Sequence, residues 1–316
     1  MTSLRRLGAT DLHIAPLVLG GNVFGWTADR DTSFAVLDAF VAAGGTMIDT
    51  ADLYSSWVPG HVGGESERVI GEWLKTGGKR DKVQIATKVG MLPGEGGKGL
   101  APARIAAAAD ESLMRLGIER IDLYFAHEDD DAVRQEDALA AFGKLIDAGK
   151  VRALGASNFH AMRLKSANDA AKAHGLPHYQ VLQPEYNLVS RHKFEGELQD
   201  YCVVHDIGVV PYYGLASGFL TGKYRSTADL GKSVRGGQMG ELLEGKGAAV
   251  LAAMDEVAAD TGATLAQIAL AWLAAQPGVT APIASATSVA QMDELAGSLD
   301  LNLSETQVER LTNAGA

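Results

Sequence analysis

GEGGKG, residues Gly94 to Gly99, matches the pattern G-x-G-x-x-G. A strand-like VQIATKV (83–89) precedes it, a helix-like PARIAAAADESLMRL (102–116) follows, and the next apolar run, IDLYF (121–125), ends close to Glu128. Glycines, helix and acidic residue are the parts of a dinucleotide-binding fingerprint. A phosphate-gripping turn must join strand and helix directly, so that backbone amides point at the pyrophosphate. Here VGMLP (89–93) intervenes after Lys88, and Pro93 breaks the junction. Two strand–helix units already precede the motif, whereas the fingerprint normally opens its fold. GEGGKG therefore reads as a mobile rim loop beside a substrate pocket, and the surrounding rhythm decides the fold.

That rhythm is a short apolar strand, a turn, then an amphipathic helix. Candidate strands lie at 17–20, 46–49, 82–88, 121–125, 151–157, 181–183, 208–213 and 279–283. Helical patterns lie near 30–43, 65–76, 102–116, 133–148, 160–174, 194–206, 248–274 and 288–297. Alternating β and α elements imply parallel pairing with right-handed crossovers. Eight units predict an α/β fold, a (β/α)8 TIM barrel forming one domain over residues 1–316; an open doubly wound sheet is the alternative. LRRLGATDLHIA (4–15) reads as a β-hairpin turning at Ala9-Thr10-Asp11 and plugging the N-terminal end of the barrel. The stretch 214–247 has little apolar periodicity and forms a long loop after strand seven. Structureless loops beyond about 12–15 residues are uncommon and often functional.

Composition narrows the partners. Of 316 residues, 47% are apolar and 21% charged, as a well-packed core requires, and the formal charge is −11. Excess acid repels phosphate backbones and anionic lipid, which disfavours nucleic acid and membrane surfaces. No apolar run approaches the roughly 20 residues of a bilayer span. SLRRLG near the start resembles a twin-arginine signal, but Asp11 and His13 interrupt the segment that would follow. One cysteine, Cys202, cannot form an internal disulfide and suits a cytoplasmic location. Oligomeric state is left open.

In a barrel the carboxyl ends of the strands form one rim, and residues distant in sequence converge there. Strand two runs into Asp49, with Tyr54 in the loop after it; strand three ends at Lys88 and strand four reaches His127. Strand five ends at Ser157-Asn158, strand six at Gln183 and strand seven at Tyr212. A nearby ammonium favours a phenolate and brings a tyrosine toward the range useful for proton transfer. A buried lysine keeps its charge only if a carboxylate holds it, which Asp49 supplies. A neutral histidine can polarise a substrate oxygen by hydrogen bonding. Together these groups suit carbonyl reduction, with hydride from a cofactor, because no side chain supplies one.

The chain resembles the aldo-keto reductases over essentially its whole length. The carrying segments include RRLGATDLHIAPLVLGG, IDTADLYSSW, GGESERVIGEWL, IATKVG, IDLYFAHED, GASNF, LQPEYNL, PYYGLASGFLTGKY and TSVAQMDEL. The pattern is nearer the long-loop branch that includes potassium-channel beta subunits than the short-loop aldose reductases. The resemblance implies catalytic roles for Tyr54 as proton donor, Lys88 tuning it, Asp49 holding Lys88, and His127 orienting the carbonyl. It also implies a nicotinamide cofactor, usually NADPH. Ser157, Asn158 and Gln183 would meet its carboxamide, Tyr212 would stack on the ring, and Gly21 and Asn22 would lie beside it. Gly214, Leu215, Ala216 and Ser217, on the segment running to Lys223, would carry the pyrophosphate, with positive charge from Lys223 and Arg235. Ser285, Thr287, Gln291 and Glu294 would surround the adenosine.

Ser285 and Gln291 stand where aldose-type members place a lysine and an arginine on the 2′-phosphate, and Leu295 stands where an asparagine often contacts adenine. Losing the arginine fork weakens discrimination for NADP. The expectation is an NADP(H)-dependent reductase of aldehydes or ketones; an NAD(H)-dependent dehydrogenase of a sugar or other alcohol is the alternative. A cofactor-binding regulatory subunit ranks last. Trp57 could wall the substrate site. The remaining histidines, His61, His160, His174, His178, His192 and His205, show no ligand-like clustering, so no metal is expected. LGKS (230–233) lacks the upstream glycine of a phosphate-binding loop.

Overall fold

A two-stranded hairpin begins the computed structural model, which describes residues 3–232, 237, 239–243 and 245–315. Strand β1 (Arg5–Arg6) pairs antiparallel with β2 (His13–Ile14). Thr10 fixes the turn: its hydroxyl donates to the Leu7 carbonyl at 2.6 Å and accepts from the Leu12 amide at 3.1 Å. Gly8, at φ +54°, sits where a Cβ would fall 2.2 Å from the Gly208 nitrogen. Leu7, Leu12 and Ile14 are buried in one cluster with Met47, Leu123 and Val181. The hairpin thus plugs the N-terminal end of the sheet, as the sequence implied.

Eight parallel strands follow: β3 (Val18–Gly20), β4 (Met47–Asp49), β5 (Gln84–Val89), β6 (Ile121–Ala126), β7 (Val151–Ser157), β8 (Val181–Gln183), β9 (Gly208–Val209) and β10 (Ile283–Ala284). Their order is β10-β3-β4-β5-β6-β7-β8-β9. The two outer members meet through backbone bonds from Thr280 to Val209 (2.8 Å), Val209 to Gly278 (3.1 Å) and Ile283 to Pro211 (2.9 Å). The sheet therefore curls into the expected (β/α)8 TIM barrel. Helices α1 (Arg30–Ala42), α2 (Glu65–Leu74), α3 (Pro102–Leu116), α4 (Gln135–Asp147), α5 (Ala161–His174) and α6 (Glu197–Val204) occupy the crossovers. After β9 come α7 (Gly240–Leu243), α8 (Lys246–Thr261) and α9 (Leu265–Ala274); α10 (Val289–Ala296) and α11 (Glu305–Ala314) end the chain. Among the described residues no single helix is long and apolar enough to cross a membrane.

Three elements depart from the sequence reading. The strand expected at 208–213 is only two residues long, because Pro211 has no amide to donate to the ladder. Tyr212 still makes an isolated bridge to Glu185. The helix expected over 248–274 is two helices bent by 96°. Gly262 caps α8 in the left-handed conformation at φ +72°, and Thr264 with Gln267 forms a capping box for α9. The stretch 214–247 is not structureless throughout, since short 3-10 turns at Ala216–Thr221 and Thr227–Lys232 precede α7.

GEGGKG proves to be a tight turn over the start of α3. Gly94 and Gly97 exchange backbone hydrogen bonds at 2.9 and 3.1 Å, and Arg104 Nη1 donates to the Glu95 carbonyl at 3.0 Å. A Cβ at Gly94 would fall 2.5 Å from that guanidinium, and one at Gly96 2.4 Å from Ala103 backbone. The glycines serve close packing on α3. None of Gly94 to Gly99 lines the large cavity, so the motif does not take the expected place beside the pocket; Met91, in the segment between β5 and the motif, does line it.

Candidate active site

Parallel pairing of β4, β5 and β6 sets Asp49, Lys88 and His127 at one end of the barrel. Asp49 closes β4; Lys88 lies on β5, and the His127 amide donates to the Val89 carbonyl at 2.8 Å, one residue beyond β6. The loop after β4 is fastened to β5 by the Asp52 amide on the Lys88 carbonyl (3.3 Å), and it turns to present Tyr54. The buried Lys88 ammonium then makes three contacts: Asp49 Oδ2 at 2.6 Å, the Thr50 carbonyl at 2.8 Å and the Tyr54 hydroxyl at 2.9 Å. An ammonium has three donors, so its capacity is filled. Tyr54 donates to Asp49 Oδ2 at 3.3 Å, and the His127 ring meets the Tyr54 ring edge-on at 6.1 Å.

Burial governs the protonation of these groups. It lowers the Lys88 ammonium, an effect opposed by Asp49. It holds His127 well below the ordinary imidazole value, with the Lys88 charge adding to the effect, so the ring is neutral near pH 7. Tyr54 moves opposite to the sequence-based expectation. Burial first, then the Asp49 carboxylate, push the phenol well above its usual value. The proton is thus held on Tyr54, with Lys88 hydrogen-bonded to its oxygen.

A second layer of contacts extends from this cluster. Gln183 Nε2 donates to Asp49 Oδ1 at 2.9 Å, and the Ser157 hydroxyl donates to the Gln183 carbonyl at 2.9 Å. Asn158, in the left-handed region at φ +59°, donates to the His127 carbonyl at 3.0 Å and accepts from the Tyr212 hydroxyl at 2.7 Å. Burial pushes the Tyr212 phenol up to about 12, with smaller contributions from Glu185 and Tyr213. These links orient two carboxamides and a phenol beside the Tyr54 hydroxyl.

All of them open onto one cavity of about 750 Å³, within the range of small-molecule and cofactor sites. Asp49, Tyr54, His127, Ser157, Asn158, Gln183 and Tyr212 line it; Lys88 does not, being reached only through Tyr54 and Asp49. From there the cavity runs past Asn22, Gly214, Leu215, Ser217 and Lys223 to Ser285, Thr287, Gln291 and Glu294. Gly21 and Ala216 are drawn away from it. Gly21 is tied by its amide to the Asp49 carbonyl and by its carbonyl to Ser66, and Gly20 lines the cavity instead. Ala216 is buried within a run of left-handed residues, Ala216 (+47°), Ser217 (+55°) and Gly218 (+91°). Arg235 lies outside the described residues.

Residues absent from the sequence reading also face the cavity. Trp26 and Met91 come from the loops after β3 and β5, and Tyr213 and Lys232 from the segment after β9. The Trp26 ring meets Trp57 edge-on at 5.5 Å, Trp57 in turn meets the Tyr54 ring at 6.2 Å, and all three line the cavity. Lys232 belongs to LGKS, set aside in the sequence reading; its ammonium donates to the Lys223 carbonyl at 3.0 Å and pairs with Asp229 at 2.7 Å. A Cβ on Gly218 would fall 2.8 Å from Lys223 Nζ, so this glycine leaves room for the ammonium. At the far end Ser285 donates to Asn22 Oδ1 at 2.6 Å, and Gln291 Oε1 accepts from the Thr287 amide at 2.8 Å. Among the described residues no three His, Cys, Asp or Glu side chains gather into a metal-binding group.

The donor set fits a dinucleotide: carboxamides by the phenol, ammonium groups mid-cavity, hydroxyl and amide groups at the far end. The family model described as the aldo/keto reductase family matches residues 16–316. This chain belongs to the aldo/keto reductase family. Aldo/keto reductases are oxidoreductases that use nicotinamide cofactors on small carbonyl compounds, and that general activity is this chain's as well. It is 30% identical over 310 residues to a probable voltage-gated potassium channel subunit beta of Arabidopsis thaliana, covering 94% of this chain and 91% of that one. An uncharacterized oxidoreductase of Bacillus subtilis (strain 168), YrpG, is 31% identical over 317 residues, or 97% and 94% of the two chains. An aryl-alcohol dehydrogenase (NADP+) of Phanerodontia chrysosporium is 28% identical over 332 residues, or 96% and 83%.

Proposed function

We propose that this aldo/keto reductase is an NADP(H)-dependent carbonyl reductase in which Tyr54 donates the proton. The supporting observation is the Lys88 ammonium, 2.9 Å from the Tyr54 hydroxyl and 2.6 Å from Asp49, behind the wall of the cavity that Tyr54 and His127 line. Bound reduced nicotinamide supplies hydride to the carbonyl carbon. Tyr54 gives its proton to the carbonyl oxygen, and Lys88 stabilises the phenolate left behind. His127, neutral, donates a hydrogen bond to the same oxygen as charge develops on it. Asp49 keeps Lys88 charged, and a positioned acid of this kind contributes about 10²–10⁴-fold.

Ser157, Asn158 and Gln183 would hold the carboxamide, and Tyr212 the ring face. Lys223 and Lys232, the cationic side chains among the described lining residues, would face the phosphates and favour the extra phosphate of NADP. A second reading, NAD-linked alcohol oxidation, draws support from the far end. There Ser285 and Gln291 are bonded to Asn22 and Thr287, and Glu294 adds a carboxylate. The test is a panel of aldehydes, ketones and alcohols with each cofactor, followed by nicotinamide absorbance. Carbonyl reduction faster with NADPH is expected. Turnover confined to NAD+ and alcohols would favour the second reading, and no turnover at all would refute both.

A further inference from the structure

Asp52 sits two residues before Tyr54, yet its side chain points away from the cavity into the protein. It is fully buried, and neither carboxylate oxygen has a hydrogen-bond partner among the described residues. Its nearest cation is Arg104 on α3, with Nη2 at 3.6 Å from Oδ2. Arg104 does not need it: Glu111 already takes two of its guanidinium hydrogen bonds at 3.0 Å each, and the Glu95 carbonyl a third. The other charged and titratable neighbours are Glu67 on α2, Arg115 on α3, Lys88 on β5 and Tyr124 on β6. Glu67 is buried and bound by Thr87 and Arg115 at 2.6 Å each. The Tyr124 hydroxyl is buried without a partner among the described residues. A bare buried carboxylate is costly, and a neutral side chain of the same shape would serve the fold better. Its position suggests why it is a carboxylate. The loop that carries it touches Lys88 at three points: the Thr50 carbonyl on Nζ, the Asp52 amide on the backbone carbonyl, and the Tyr54 hydroxyl on Nζ.

We propose that Asp52 is a positioning residue for the reaction, its buried carboxylate on the Tyr54 loop serving Lys88 as a further counter-charge on the side away from the cavity. Asp49 faces the cavity whereas Asp52 and Glu67 do not, so of the carboxylates around the ammonium only Asp49 can be approached by a substrate. Asp52 and Glu67 both favour the charged form of Lys88 against burial. The Lys88–Tyr54 pair titrates as a unit. A negative charge behind it holds its protons to higher pH and keeps Tyr54 competent as a donor. The inference rests on the reading of Tyr54 as proton donor.

The experiment is single-turnover carbonyl reduction, followed by nicotinamide absorbance from about pH 6 to about pH 10, in the native protein, Asp52→Asn and Asp52→Glu. Asp52→Asn keeps the shape and removes the charge. Its alkaline loss of rate should begin about one pH unit earlier, as expected for removing one nearby charge. NADPH affinity should stay within about twofold, and Asp52→Glu should return the profile toward the native one. A merely structural role would scale the rate at every pH and leave the midpoint in place, which would overturn the inference. If Asp52→Asn does not fold, Asp52→Ser is read in the same way: an earlier alkaline loss supports the proposal, and an unmoved midpoint overturns it. Full carbonyl reduction by Tyr54→Phe would instead remove the reading beneath it.

Discussion

At Tyr54 one oxygen accepts from Lys88 at 2.9 Å and donates toward Asp49 at 3.3 Å, and burial keeps the proton in place. His127 and Asp52 give this arrangement opposite linkages to pH. The imidazole is neutral when folded, so unfolded chain binds its proton more readily, and stability falls as pH drops through about 6.5. Asp52 is pushed up to about 7 by burial and by Glu67, so the folded state binds that proton more tightly. Its contribution to stability therefore falls as pH rises from the ordinary carboxylate value toward 7. Thermal unfolding of Asp52→Asn should show the higher Tm relative to native at pH 8 and little gain near pH 4; equal gains at both would contradict this sign. The placement of single residues was largely legible, because an Asp, Lys or His at a strand end reaches the rim by topology alone. Direction of the Tyr54 shift was not, since it depends on how completely folding excludes water from the phenol.

Elements carry their own tests. Gly155 on β7 faces Phe125, and a Cβ there would fall 2.3 Å from the ring. Gly155→Ala should lower stability by about 1–3 kcal/mol, as overpacking does, measured by urea denaturation. Thr264→Ala should lose about 1 kcal/mol with the α9 cap. A value near zero for either would mean that the local geometry relaxes freely. The break between α8 and α9 was written in TGATLAQ, with Gly262 as a stop and Thr264-x-x-Gln267 as a start, but the apolar run hides it. Strand β9 was overestimated because β-branched residues and tyrosines continue past Val209, while Pro211 removes a donor. Lys232 could not be placed from sequence, since its position on the cavity depends on how the segment after β9 folds back.

Across the whole molecule, the barrel separates stability from chemistry. The plug packs at the N-terminal end through Leu7 and Leu12, and the cavity opens at the other. Leu12→Ala should cost about 2–5 kcal/mol of stability while leaving the rate constants at low temperature near native. A kinetic loss matching the loss of stability would contradict that separation. Barrel architecture followed from eight strand–helix units, whereas the ring's closure depends on backbone bonds around Val209, Thr280 and Ile283 that no periodicity encodes. The far end of the cavity should report cofactor choice as a difference in affinity between NADPH and NADH, with Lys223→Ala weakening both. The claim on which the chemistry turns concerns the proton on one phenol, and Tyr54→Phe removes it while keeping the ring. Carbonyl reduction by that variant, measured together with its NADPH affinity, should fall by at least about 100-fold with the affinity within about twofold of native; reduction at the native rate would contradict it.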